Sequence, residues 1–415
     1  KTPIIIPKDT KVKLESGKLI LNGPKGTKEL SINDKVFSAS VSDDNKLILK
    51  VIKKILLVAA CSTAFLTSSV FANTANQNAD LKTVATFDAQ HPPGNIAITP
   101  SGRKFLSVHG FYGQKQKIME LLSDGTTKPY PNEEWAYAYK NGKGFYDVLG
   151  INVSADGVLW MLDTSAPDRA GRLVGWDTNK EQLHKIIYLA KPTITDTSFL
   201  NDLVIDNKHG VVYIADTAQG SQAAIITVNL KTGEARRVLQ NSPYTTAENI
   251  DMVIEGRTMK LGGQPARLGV NPITLDPSEQ WLYFGSMSGT SVYRIATSDI
   301  NNKSLSASAL ESKVTRYGTK PISDGIIVDG GGNVYVTDIT NGAIGVVKPS
   351  GKYQVLFKDE RLSWPDGFSY GADHKIYFTV DELHRSPVLN NGKNASQGKF
   401  SVLSFDPLVK GKVGR

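Results

Sequence analysis

The chain has 415 residues, 40% of them hydrophobic and 21% charged, with 37 glycines and a single cysteine. Those are globular values with a turn-rich bias, and one cysteine excludes a disulfide framework. The formal charge of +8 invites a nucleic-acid reading, but its placement argues against it: residues 1–50 carry ten lysines against six acids, and Lys53 and Lys54 follow directly. About +2 remains for everything after residue 54, which excludes a basic nucleic-acid surface on the main body.

Residues 1–50 show short alternating runs separated by Gly, Asn and Asp, around Val36–Val41 and Lys46–Lys50 among others, which predicts a small antiparallel sheet. Pro3 to Pro7, then Lys11 to Lys13 and Asn22 to Gly26, resemble the N-terminus of the sixth protein of the bacterial large ribosomal subunit. That resemblance covers half of one domain of that family and implies RNA phosphate contacts through Lys25 and Lys28. A solvated basic hairpin with no RNA partner accounts for the same lysines.

Residues 51–72 have the anatomy of a secretory signal: Lys53 and Lys54, an apolar run from Ile55 to Leu66, and small residues ending at Ala72. Its Ser and Thr content makes it a poor membrane span. Cleavage after Ala72 would remove Cys61 and leave a secreted or periplasmic protein without thiols, free of the membrane. A signal starting at residue 51 is read economically as two unrelated pieces joined by fusion or by artefact.

From residue 80 to 408 one unit dominates, seen most clearly in SDGIIVDGGGNVYVTD from Ser323 to Asp338. It is a small-polar entry, an alternating strand, a glycine turn and a second strand, the pattern of a hairpin with one face buried. Five further copies begin near Pro93, Leu149, Asn201, Asn271 and Asp366. With Gly94, Leu149, Asn201, Asn271, Asp324 and Asp366 as equivalent positions, the intervals are 55, 52, 70, 53 and 42 residues. A four-stranded blade takes about 40–50 residues, so the fold class expected is all-β, a six-bladed β-propeller behind the small N-terminal β segment. Ring closure is expected between Leu81–Phe87 and Lys399–Phe405.

Equivalent starts of inner strands converge on one end of the central channel, so chemistry is expected there. Asn201, Asn271, Asp324 and Asp366 make a hard-oxygen set suited to a divalent cation, calcium first, and Asp202 adjoins it. The residues alone leave two roles open: lining a metal or ligand site, or capping the turns into each strand. Asp163, Asp216 and Asp338 recur at the ends of second strands, which favours a turn role. The histidines show no metal-ligand spacing, although His109 is placed to approach the channel, and catalytic residues are unassigned. Trp135, Tyr137, Tyr139, Phe145, Tyr146 and Trp364 are candidates for an aromatic wall around an amine-like ligand.

Pro129 to Pro131 with Trp135, Leu159 to Thr164, Asn201 to Asp206, Gly269 to Pro277 and Trp364 to Gly367 together resemble the yellow/major royal jelly protein family in its bacterial form. The resemblance implies a secreted six-bladed, ligand-binding propeller, here expected to hold a small polar or aromatic ligand at the channel mouth; the chain is expected to act as a monomer. The channel positions are also similar to the gluconolactonase and regucalcin propellers, in which Asn, Asn and Asp of blades three to five and a first-blade Glu hold a metal. Asn201, Asn271 and Asp324 match that order, while Gly94 and Asn95 stand where the Glu is expected. That departure weakens the alternative reading, a metal-dependent lactonase, although Asp366 could substitute.

Overall fold

A computed structural model describes residues 80–414 and, before them, only strand residues between 4 and 51. The chain divides into two compact units, Lys1–Asn73 and Thr74–Arg415. The first contains two antiparallel three-stranded sheets, one of Lys11–Glu15, Lys18–Gly23 and Gly26–Ser31, the other of Ile4–Ile5, Lys46–Val51 and Phe37–Val41. The small sheet expected there is therefore a pair of sheets, and the signal-like stretch after Val51 lies outside the described residues.

The second unit consists of six four-stranded antiparallel sheets. Their inner strands are Pro93–Ile98, Val148–Val153, Leu200–Asp206, Val270–Leu275, Ser323–Val328 and Pro365–Tyr370, numbered here as blades 1 to 6. Each inner strand neighbours the next, and the sixth returns to the first, so the ring is closed. Closure is made within blade 6, where Lys82–Phe87 pairs antiparallel with Phe400–Phe405, from Phe87 opposite Phe400 to Lys82 opposite Ser404. Tying the start of the ring to its end removes the free edge that an open sheet would expose.

The core lies between blades, as alternation requires: one side chain in two faces each neighbour. Val204 and Tyr213 of blade 3 pack on Phe284 and Ile295 of blade 4, and Tyr335 of blade 5 on Phe378 and Phe405 of blade 6. The long interval between Asn201 and Asn271 holds two short hairpins, Val253–Ile254 with Arg257–Thr258 and Lys260–Leu261 with Gln264–Pro265. Met252, Ile254, Met259 and Ala266 of that insertion pack against Met287, Trp364 and Leu383. Among the described residues no helix is long and apolar enough to cross a membrane.

Candidate functional site at the channel mouth

The site is built by a bulge repeated six times. Pairing between each inner strand and its neighbour slips near the third residue: between Pro93 and Ile96, Val148 and Ile151, Leu200 and Asp202, Val270 and Ile273, Ser323 and Ile326, and Pro365 and Phe368. A bulge releases one residue from the ladder and re-aims its side chain. The released positions include the six that the repeat phase makes equivalent. Gly94, Leu149, Asn201, Asn271, Asp324 and Asp366 all line one pocket, about 580 Å³ with the solvent at its opening included. Glycine beside the bulge lets strands approach: a Cβ on Gly325 would collide with the Asp366 carbonyl oxygen, and one on Gly367 with the Asn95 amide.

Register defines a second ring just above the first. Val108, Asp163, Asp216, Ser286, Asp338 and Val380 pair with the first residues of the six inner strands. The residues one step further are His109, Thr164, Thr217, Met287, Ile339 and Asp381. Of these His109, Thr217 and Met287 line the same pocket. Phe111, Phe199, Leu268, Trp364, Leu383 and Leu389 wall the opening. Trp364 is the one member of the expected aromatic wall to reach it. Trp135 and Phe145 pack in the core of blades 1 and 2 against Trp176, and Tyr139 stacks on Tyr146 at 4.5 Å on the surface.

Hydrogen bonds fix the acids. Asp324 accepts from the Asn271 amide at 2.6 Å on one oxygen and from the Trp364 indole N–H at 2.7 Å on the other. Asp202 accepts from Leu203 N at 2.8 Å and from the Asn95 amide at 2.9 Å, a bond reaching across the channel from blade 1 to blade 3. The side chain of Asn201 has no such partner among the described residues, leaving its amide free toward the pocket. Asp366 faces Asp381, whose Oδ1 takes the backbone N–H of Leu383 at 3.2 Å. Among the described residues no lysine or arginine lines the pocket.

Four carboxylates with so few donors bind their protons more tightly than free aspartates do. Burial pushes Asp202 up to about 7, aided by the charge of Asp324, and pushes Asp324 up to about 6 against its two donors. Asp366 and Asp381 are raised well above the ordinary range, by burial first and then by the charge of Asp324, and Asp366 also by Asp381 beside it. Burial, with Lys117 nearby, depresses His109 to about 3, so its ring is neutral. Lys320, a buried lysine whose charge reaches Asp324, gives its side-chain nitrogen to the carbonyls of Gly289 at 2.8 Å and Pro321 at 3.1 Å, and burial lowers it to about 7. The mouth is therefore an acid-rich floor short of positive charge.

The repeat phase locates Asn201, Asp202, Asn271, Asp324 and Asp366 at one opening. Inner-strand phase alone does not reach Asp381 and gives His109 only a proximity. The available signal was their shared place one residue beyond the second strands.

A family model described as Major royal jelly protein matches residues 147–402. A search among curated proteins finds no match. Similar solved structures include a luciferin-regenerating enzyme (TM-score 0.52, 12% identity, 81% of this chain and 98% of that one). Another is an inferred gluconolactonase (TM-score 0.51, 12% identity, 81% of this chain and 94% of that one). At that identity the likeness shows the fold alone.

Proposed function

Since the chain belongs to the major royal jelly protein family, we propose that it is an exported propeller that binds a small organic cation with an apolar or aromatic body at its channel mouth. The observation carrying this reading is the pairing of an acid floor, Asp202, Asp324 and Asp366 with Asp381 behind Asp366, with walls of Phe111, Phe199 and Trp364 and no lining lysine or arginine among the described residues. An ammonium group offers what the carboxylates lack, positive charge and N–H donors, and its hydrocarbon part suits the walls. The protein acts as a monomer, without nucleic acid, once the stretch 51–72 is removed.

Calorimetry with 2-phenylethylammonium and its neutral counterpart 2-phenylethanol tests the reading. The ammonium should bind at least tenfold more tightly, and Asp324→Asn should weaken it by about tenfold or more, the worth of a charged hydrogen bond. Equal affinity for the two compounds, or binding of neither, rejects the reading.

The unpartnered Asn201 amide favours a second reading, a divalent ion held by Asn201, Asn271 and Asp324, with calcium the best match to such oxygens. The residues fit, because each Asp324 oxygen has accepted one hydrogen bond and retains a further lone pair. Such an ion would polarise a lactone carbonyl, and Asp366 would supply the acid missing from blade 1. Titrating Ca²⁺, Mg²⁺ and Zn²⁺ calorimetrically decides it: no heat with any of them ends the metal reading.

A further inference from the structure

The inner strands start at the mouth, so their last residues ring the opposite end of the channel. Residues 408–414, which follow the blade 6 strand Phe400–Phe405, run across that ring. Leu408 N donates to the Tyr335 hydroxyl at 2.6 Å and Val409 N to Asp329 Oδ2 at 3.2 Å, both in blade 5. Gly330 N, in the turn of the same blade, donates to the Lys410 carbonyl at 3.0 Å. The Lys412 ammonium reaches Glu279, in the hairpin turn of blade 4, at 2.7 Å. Glu279 is buried and also takes the Asn207 amide at 3.0 Å and Lys208 N at 2.7 Å, from the turn of blade 3. Gly414 N donates to the carbonyl of Tyr370, the last inner-strand residue of blade 6, at 3.2 Å.

Two glycines make this path possible. A Cβ on Gly411 would collide with the Tyr370 ring, so the segment passes that ring more closely than a side chain allows. Gly414 has φ +88, and a Cβ there would meet the carbonyl oxygens of Ile98 and Val153 at 3.5 Å. Those two are the last inner-strand residues of blades 1 and 2. Seven residues, which extended would span about 20 Å, therefore touch the far rim in every blade, blade 3 through Glu279. Between this segment and the mouth lies a cavity of about 350 Å³, its opening included, lined by Asn152, Thr274 and Phe368 among others. Asn95 and Asp202 line both that cavity and the mouth pocket, so the two spaces meet at the bond between them.

We propose that residues 408–414 are a strap that seals the far end of the channel, so that the ligand site is blind and exchanges with solvent through the mouth alone. The seal does not depend on which ligand the mouth takes. Its anchors are the Lys412–Glu279 pair and the close passage of Gly411 over Tyr370. With the strap released, a solute could enter from below and come up to Asp202 without passing the walls of the mouth.

A thiol placed in the lower cavity tests this. Asn152→Cys supplies it, and Cys61→Ser removes the natural one. In that background N-ethylmaleimide should label the protein slowly. Adding Lys412→Ala, or Gly411→Val, should release the strap, read as lost hydrogen-exchange protection of the Gly330 amide, and should speed labelling at least tenfold while melting stays cooperative. Lys412→Ala leaves every blade intact, so it decides the matter even where Gly411→Val does not fold. A released strap with unchanged labelling overturns the seal, as does labelling of the strapped protein at the rate of a free thiol. A Gly330 amide that stays protected in both variants overturns the assignment of the anchors.

Discussion

Two groups of buried aspartates sit within a few residues of one another in the repeat, and they are treated in opposite ways. Blades 2, 3 and 5 end their second strands on Asp163, Asp216 and Asp338. Asp163 takes Arg172 Nε and the N–H groups of Tyr146 and Asp147, each at 2.9 Å. Asp216 takes Ser198 Oγ at 2.6 Å, Phe199 N at 2.7 Å and the Arg237 guanidinium. Asp338 takes the Asn341 amide and the Tyr353 hydroxyl, both at 2.8 Å. In blade 6 Val380 stands at that register and the acid comes one residue later. A one-residue step turns a side chain over, and Asp381 meets another acid instead of a base. Burial is common to both groups, so burial does not mark the site. The shortage of donors does.

The largest effect expected from this contrast is on stability. Removing Arg237 as Arg237→Ala strands the buried carboxylate of Asp216 and should cost about 3–5 kcal/mol. Asp381→Ala removes a group already in conflict with its neighbour and should change stability by no more than about 1 kcal/mol. Urea unfolding of both variants measures the pair. Similar losses would break the contrast, because Asp381 would then be holding the blade together as Asp216 does.

The pH dependence sharpens it. Asp202 and Asp324 have folded values of about 7 and about 6, above the ordinary 3.8, so the folded chain holds these protons more tightly than the unfolded one. Their contribution is complete below about pH 4 and is lost as pH rises through 6 and 7. For Asp202 alone the loss is roughly 1–3 kcal/mol, since each tenfold gain in proton affinity is worth about 1.4 kcal/mol and water at the mouth screens part of it. Asp202→Asn should therefore gain on wild type as pH rises from 4 to 8. A difference that stays constant over that range would mean Asp202 ionises normally.

How much of this was legible in the sequence follows from what the repeat encodes. Its phase, set by alternating strands and the turns between them, locates the start of the inner strand in every blade, so Asn201, Asn271, Asp324 and Asp366 were found from the chain alone. The phase does not say which acids acquire partners, because Arg172 and Arg237 come from third and fourth strands, outside the repeated hairpin. It also treated the acids ending second strands as one class, so a shift of one residue at Asp381 was invisible. The aromatic wall was misjudged for a related reason: Trp135 and Phe145 lie in a loop by sequence, yet their area is buried between blades 1 and 2. The insertion before Asn271 was visible only as a long interval, and that its Met252 and Met259 pack with Trp364 depends on contacts between blades.

The smallest effect concerns Asn95, whose side-chain amide reaches an acid of the mouth from blade 1. Its amide holds Asp202 Oδ1 at 2.9 Å, and its own oxygen accepts Ile96 N at 2.7 Å, so it is fixed at both ends. The bond favours the charged form of Asp202, so Asn95→Ala should raise that group further and leave more of it protonated at neutral pH. The cost should be about 1 kcal/mol, the net worth of one such bond, and it should be larger near pH 8, where Asp202 is ionised and needs the donor, than near pH 5, where it is not. Binding of 2-phenylethylammonium should fall by less than threefold, far less than for Asp324→Asn, because the cation itself supplies donors to Asp202. Carboxyl-carbon NMR titration of Asp202, with unfolding at the two pH values, checks both parts. A cost independent of pH would show that Asn95 matters to the strand through Ile96 and not to the acid across the channel.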